Sequence, residues 1–218
     1  MMAVNALIFD VDGTLFQTDR ILAPALEHTF TTLRERRDWT GPAPVDTYQQ
    51  MMGKPLPEVW QTLLPDHPDD VHEEMDGLFQ KALVQRIQAG DGALYPHVRD
   101  VLRALKQEGF TLFAASNGRT DYLQAVAAQE RLDGLFEGIY SIDHLVSGDK
   151  TDLVCHVIDT HGITSGAMVG DRLSDIQAGQ QNGLKAVGCR FTYAQEVEMA
   201  QADVTVDDFR ELLPLFRG

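Results

Sequence analysis

Apolar positions near the start of the chain do not alternate with polar ones. Leu7, Ile8 and Phe9 run together, the pattern of a strand covered on both faces. From about Val98 a second pattern repeats. Val98, Val101, Leu102 and Leu105 fall at helical spacing, Gly109 follows, and the apolar run TLFAA comes next. Leu153, Val154, Val157 and Ile158 lead in the same way through Gly162 to AMVG, and Leu173 and Ile176 lead through Gly183 to KAVGC. Glycine just past a helix suits the left-handed position that closes the last turn. Helix, glycine and strand, repeated, predict an α/β fold with a parallel sheet and helices on its faces. The C-terminal ADVTVDDFRELLPLF adds an expected short strand and a closing helix capped by Asp207.

Between Gln17 and Gly92 the texture changes. Leu22, Leu26, Phe30 and Leu33 repeat at helical spacing, as do Val71, Met75, Leu78, Phe79 and Leu83. Shorter helices are predicted around Tyr48–Met52 and Glu58–Leu64, punctuated by Pro42, Pro44, Pro55, Pro57, Pro65 and Pro68. No strand pattern appears. The expected organisation is a helical insert over residues 17–92 that interrupts a catalytic core made of 1–16 and 93–218, with QAGDGALY (88–95) as the return hinge.

Composition narrows the partners. The chain has 218 residues, enough for one α/β domain with a smaller insert, and a net charge of −15 from 18 basic and 33 acidic side chains. That balance argues against nucleic acid or an anionic membrane as the main partner, while a local cluster of cations still accommodates a small anion. No apolar stretch approaches the ~20 residues of a membrane span. Two cysteines, Cys155 and Cys189, show no metal spacing, and no basic region precedes the first apolar run, so a cytoplasmic location without a signal peptide is expected. Nothing in the sequence bears on oligomeric state.

Candidate chemistry collects where the predicted strands end, which is where open parallel sheets bind ligands. The first strand ends in Asp10 and Asp12, the next in Ser116-Asn117-Gly118. Lys150 precedes a helix, and AMVG ends in Asp171 with Asp175 one helical turn later. These groups suit phosphoryl transfer through an aspartyl-phosphate. Asp10 is the candidate nucleophile. Asp12 is the candidate acid that protonates the leaving alkoxide and then takes a proton from water. Oxygen-only carboxylate ligation suits Mg²⁺, held by Asp10, the backbone carbonyl of Asp12 and Asp171, with Asp175 orienting a metal-bound water. Ser116, the Asn117 backbone and Lys150 are the expected binders of the phosphate oxygens. Lys54 and Arg119 are possible substrate contacts. The seven histidines carry no ligand spacing.

DVDGTL, SNG, the isolated Lys150 and GDRLSD together resemble the four ordered motifs of the haloacid dehalogenase superfamily. The helical insert after the first motif is similar to that of its phosphoglycolate-phosphatase-like and β-phosphoglucomutase-like members. The resemblance covers essentially the whole chain. It implies a Rossmann-like core, a four-helix cap that closes over substrate, and Mg²⁺-dependent phosphatase activity on a small phosphorylated metabolite. KTDLV after the third motif and VGDRLSDIQAGQQNG around the fourth lean toward the phosphatases; the alternative is a phosphomutase of the β-phosphoglucomutase type, which shares every motif. Family dehalogenases lack the second aspartate, so Asp12 speaks against that chemistry. Two departures, Phe16-Gln17-Thr18 after the first motif and Arg172 in the fourth, bear on substrate choice rather than on the core reaction.

Overall fold

A computed structural model describes residues 5–52 and 54–217. The chain divides into two compact units: one holds the residues up to Gln17 and those from Ala93 onward, the other runs from Thr18 to Gly92.

The first unit is built on a six-stranded, all-parallel sheet. Its strands are β1 (Ala6–Phe9), β2 (Thr111–Ser116), β3 (Gly138–Ser141), β4 (Gly166–Gly170), β5 (Lys185–Cys189) and β6 (Val204–Val206). Their order across the sheet is β3-β2-β1-β4-β5-β6. The N-terminal strand therefore lies in the interior of the sheet. Ile8 pairs with Phe113 on one side and with Met168 on the other. Residues Ala6 to Phe9 are all buried, which is why the strand reads as an unbroken apolar run.

Helices cover this sheet. They are α5 (Val98–Gln107), α6 (Thr120–Gln129), α7 (Lys150–His161), α8 (Leu173–Gln181), α9 (Glu196–Met199) and α10 (Leu212–Arg217), the labels α1 to α4 being kept for the second unit. One core cluster joins Ile8, Phe113, Ala115 and Met168 of the strands to Leu153, Val154 and Val157 of α7 and Ala178 of α8. Side chains alternate along a strand, so Phe9 faces the other way, where its ring meets Phe209 at 6.0 Å and Phe136 at 6.3 Å. Gly109, Gly162 and Gly183 all carry positive φ just past α5, α7 and α8, the conformation their sequence positions predict.

Two features differ from the sequence reading. Past β6 the chain runs one residue further before turning, so Asp208, not Asp207, accepts the N–H of Arg210 and caps a 3₁₀ turn at Phe209–Glu211; α10 follows that turn. The helix α6 and the short strand β3 occupy a stretch in which the apolar pattern marks no element.

The second unit consists of α1 (Asp19–Glu35), α2 (Val45–Gln50), α3 (Leu56–Leu63) and α4 (Asp69–Gln88). Pro44, Pro55 and Pro68 stand immediately before α2, α3 and α4, where a missing N–H costs no helical hydrogen bond. Phe30, Trp60 and Phe79 form its aromatic centre, with Trp60 6.5 Å from Phe30 and 5.9 Å from Phe79. The Trp60 indole donates to Asp76 Oδ1 at 2.9 Å, which satisfies two buried polar groups at once. No helix among the described residues is long and apolar enough to cross a membrane.

Candidate active site

Three neighbouring strands, β2, β1 and β4, deliver their chemistry to one edge of the sheet. Phe9 is level with Ala114 and with Val169. Asp10 leaves β1 with its N–H donated to the Val169 carbonyl at 2.9 Å, beside the point where Gly170 passes into Asp171. Ser116 stands two residues beyond Ala114 on β2.

The backbone turns sharply after Asp10. The Val11 carbonyl accepts the N–H groups of Leu15 and Phe16, each at 2.9 Å, and Gly13 takes φ of +82°. Two constraints require glycine there. The conformation disfavours any side chain, and a Cβ would lie 2.3 Å from Asp171 Oδ2. Thr14, the next residue, donates its hydroxyl to Asp171 Oδ1 at 3.1 Å. Thr14 was legible only as the residue that completes DVDGT; its partner lies 157 positions away.

Lys150 opens α7. Asp149 caps that helix, its carboxylate accepting the N–H of Thr151 at 2.7 Å, and this fixes the start from which the lysine side chain projects. The Lys150 ammonium lies 2.5 Å from Asp10 Oδ1 and 3.0 Å from Asp175 Oδ1, with its side chain 4% exposed. Asp175 sits in the first turn of α8, where its Oδ2 also accepts the Arg172 N–H at 3.1 Å. Gly170 leaves room for it, since a Cβ there would meet the Asp175 carboxyl carbon at 2.3 Å. Arg172 itself turns away to Glu198: its Nε is 3.0 Å from Oε2, an oxygen that also accepts the Leu173 N–H. The departure from the usual motif is thereby spent on anchoring α9 to the start of α8.

Asp10, Asp171 and Asp175 each present a carboxylate oxygen within 4.8 Å of the others, and all three are buried. Burial raises the Asp10 carboxyl most; Lys150 opposes this, Asp175 and Asp12 add to it, and the result is about 8. Asp171 is pushed up for the same leading reason, with Asp10 and Asp175 contributing. Burial pulls the Lys150 ammonium down, and the two carboxylates more than reverse that. Three clustered buried acids, two of them against one ammonium, carry a surplus of negative charge once ionised. The set is all oxygen, and Asp171 Oδ2 is buried with no hydrogen-bond partner, so the cluster suits a hard divalent cation.

This surplus predicts how stability varies with pH in metal-free protein. Carboxyls whose folded pKa exceeds the unfolded value bind protons on folding. Their contribution is complete below about 4 and is lost as pH climbs toward the value of about 8 held by Asp10. Metal binding requires the ionised acids. Mg²⁺ at one fixed concentration, about 100 times its Kd at pH 8.5, should therefore raise Tm at pH 8.5 by roughly 5–10 °C and at pH 5, where the protonated acids bind it more weakly, by much less. Thermal melts with Mg²⁺ and with chelator check this; equal shifts at the two pH values would refute it.

The remaining predicted residues fall as follows. Asp12 accepts a hydrogen bond from the hydroxyl of Tyr122, a residue that nothing in the sequence singles out, since its spacing with Leu123 and Val126 is that of a helix packing face. Ser116 Oγ accepts the Gly118 N–H at 3.0 Å, and Ser141 Oγ donates to the Gly118 carbonyl at 2.7 Å, so the Ser-Asn-Gly loop is held from both sides. Asn117 is half-buried in that loop, and Arg119 is exposed just before α6. Lys54 belongs to the helical unit, where it is exposed and pairs with Glu58 at 2.6 Å.

A family model for haloacid dehalogenase-like hydrolases matches residues 4–183. The phosphoglycolate phosphatase of Aliivibrio fischeri is 26% identical over 96% of this chain and 95% of its own. The pyrophosphatase PpaX of Bacillus cereus is 23% identical over 98% of this chain and 97% of its own. The crystal structure of a predicted phosphoglycolate phosphatase from Haemophilus somnus superposes with a TM-score of 0.87 at 21% identity, covering 99% of each chain.

Proposed function

Since the chain belongs to the haloacid dehalogenase-like hydrolases, we propose that it is a Mg²⁺-dependent phosphatase acting on a small phosphate monoester of the phosphoglycolate class. The observation that carries this reading is the convergence of Asp10, Lys150, Asp171 and Asp175 from three separate parts of the sequence.

In this reading Asp10 attacks phosphorus and forms an acyl phosphate, dividing a slow displacement into two steps. Asp12 gives a proton to the departing alkoxide and later takes one from the attacking water. Ser116 and the Asn117 backbone bind phosphate oxygens, and Lys150 supplies positive charge where the transition state gathers it. Asp175 holds Lys150 in place. Asp10, the Asp12 carbonyl and Asp171 would hold Mg²⁺, which when bound keeps the buried acids ionised and neutralises phosphoryl charge. None of these groups belongs to the helical unit. We read that unit as the family's cap and assign substrate choice to it.

The relatives bear the names of hydrolases, a phosphoglycolate phosphatase and a pyrophosphatase, which favours hydrolysis over the mutase alternative. Phosphoglycolate, a sugar phosphate, a nucleotide and pyrophosphate, assayed with Mg²⁺ and with chelator, test the proposal. Free phosphate is expected with Mg²⁺ and only background with chelator. An isomeric phosphate formed without free phosphate, or release that ignores chelation, would overturn it.

A further inference from the structure

Tyr122 is the third residue of α6, 3% exposed, and its hydroxyl donates to Asp12 Oδ1 across 110 positions of sequence. The ring is seated as well as bonded. A Cβ on Gly118 would lie 3.0 Å from Tyr122 Cδ1 and 3.2 Å from Ser116 Oγ, so glycine at 118 lets the ring lie against the loop that carries Ser116. One side chain thus ties the end of β1 to the end of β2. A buried phenol packed this closely has few rotamers open to it, and the carboxyl it holds inherits that restriction.

We propose that Tyr122 is a positioning residue for the proton transfers of Asp12; this rests on the acid–base role given to Asp12 above. The phenol O–H donates to Oδ1 whether the carboxyl is ionised or protonated. With Oδ1 already receiving a hydrogen, the transferable proton is directed to Oδ2. In the first step an Asp10 oxygen bonds to phosphorus, the ester P–O bond breaks, and the departing alkoxide takes the proton from Asp12 Oδ2. In the second, water gives a proton to Asp12 Oδ2 as its oxygen bonds to phosphorus, and the acyl-phosphate P–O bond breaks to return the Asp10 carboxylate and inorganic phosphate. Tyr122 keeps its own proton throughout.

Leaving-group dependence of kcat/KM separates this role from simple packing, because kcat/KM reports only the steps through formation of the phosphoenzyme. An alkyl leaving group needs the proton; p-nitrophenolate departs without it. Tyr122→Phe should lower kcat/KM for glycerol phosphate or phosphoglycolate by about 10- to 100-fold, the worth of one hydrogen bond to a charged group. For p-nitrophenyl phosphate the loss should stay within about 3-fold, a small fraction of that hydrogen bond. The ratio of the two values cancels any difference in the fraction of folded enzyme. Should Tyr122→Phe not accumulate, Tyr122→Met, flexible and apolar, serves the same comparison. Asp12→Asn is the reference, expected to show the same discrimination more strongly. Equal losses on both substrates in Tyr122→Phe, with discrimination intact in Asp12→Asn, would overturn the positioning role. Absence of discrimination in Asp12→Asn would instead overturn the acid–base reading.

Discussion

Asp10→Asn should remove phosphate release almost entirely, by on the order of 10⁴-fold or more, because in the proposed mechanism the amide cannot form the acyl phosphate and only binding and electrostatic effects remain. The substitution keeps the side chain's shape, and Lys150 keeps Asp175 as a partner 3.0 Å away. It also takes one ionisable group out of an acidic cluster that is short of positive charge. Metal-free Asp10→Asn should therefore melt no lower than the parent at pH 8.5, above the value of about 8 at which the parent's Asp10 ionises. The pair of measurements, phosphate release and Tm, separates lost chemistry from lost structure. Turnover of a phosphate ester near the parental rate would remove Asp10 from the nucleophile's place.

Lys150→Met has a different signature. The ammonium is nearly enclosed and lies against two carboxylates, so its removal leaves buried charge uncompensated, a change that typically costs about 3–5 kcal/mol. For a chain of this size that is roughly 6–20 °C in Tm at neutral pH. The acids escape part of the cost by taking up protons. Folding then binds more protons than in the parent, and stability falls more steeply as pH rises. The deficit should be small at pH 5 and large at pH 8. In the proposed mechanism turnover should fall as well, by about 10²–10³-fold, as for other lost donors to a developing oxyanion. A Tm deficit that is the same at both pH values would show that packing, not charge, fixes Lys150.

What could be read in advance followed burial. The strands β1, β2, β4 and β5 are closed in on both faces and so appear as continuous apolar runs. By contrast, β3 is an edge strand of four residues, half-buried for most of its length, and GIYS leaves no such run. Asp10 and Asp12 stood out because charge at the end of a core strand is costly without a purpose, and Lys150 only through its order among the motifs. Their orienting partners did not. Thr14 and Tyr122 are ordinary residues in their local contexts, and only long-range pairing, 157 and 110 positions apart, gives them meaning. Arg172 was visible as an oddity, but Glu198 had to be seen beside it before its structural use was apparent.

The interior position of β1 governs the order in which the molecule is made. Its two neighbours begin at residues 111 and 166, so the strand leading into Asp10 and Asp12 leaves the ribosome long before either exists. At ~5–20 residues per second the second neighbour arrives roughly 8–30 s later. The helical unit, whose partners are close in sequence, has everything it needs within that interval. The unit built on the sheet is thus begun first and completed last.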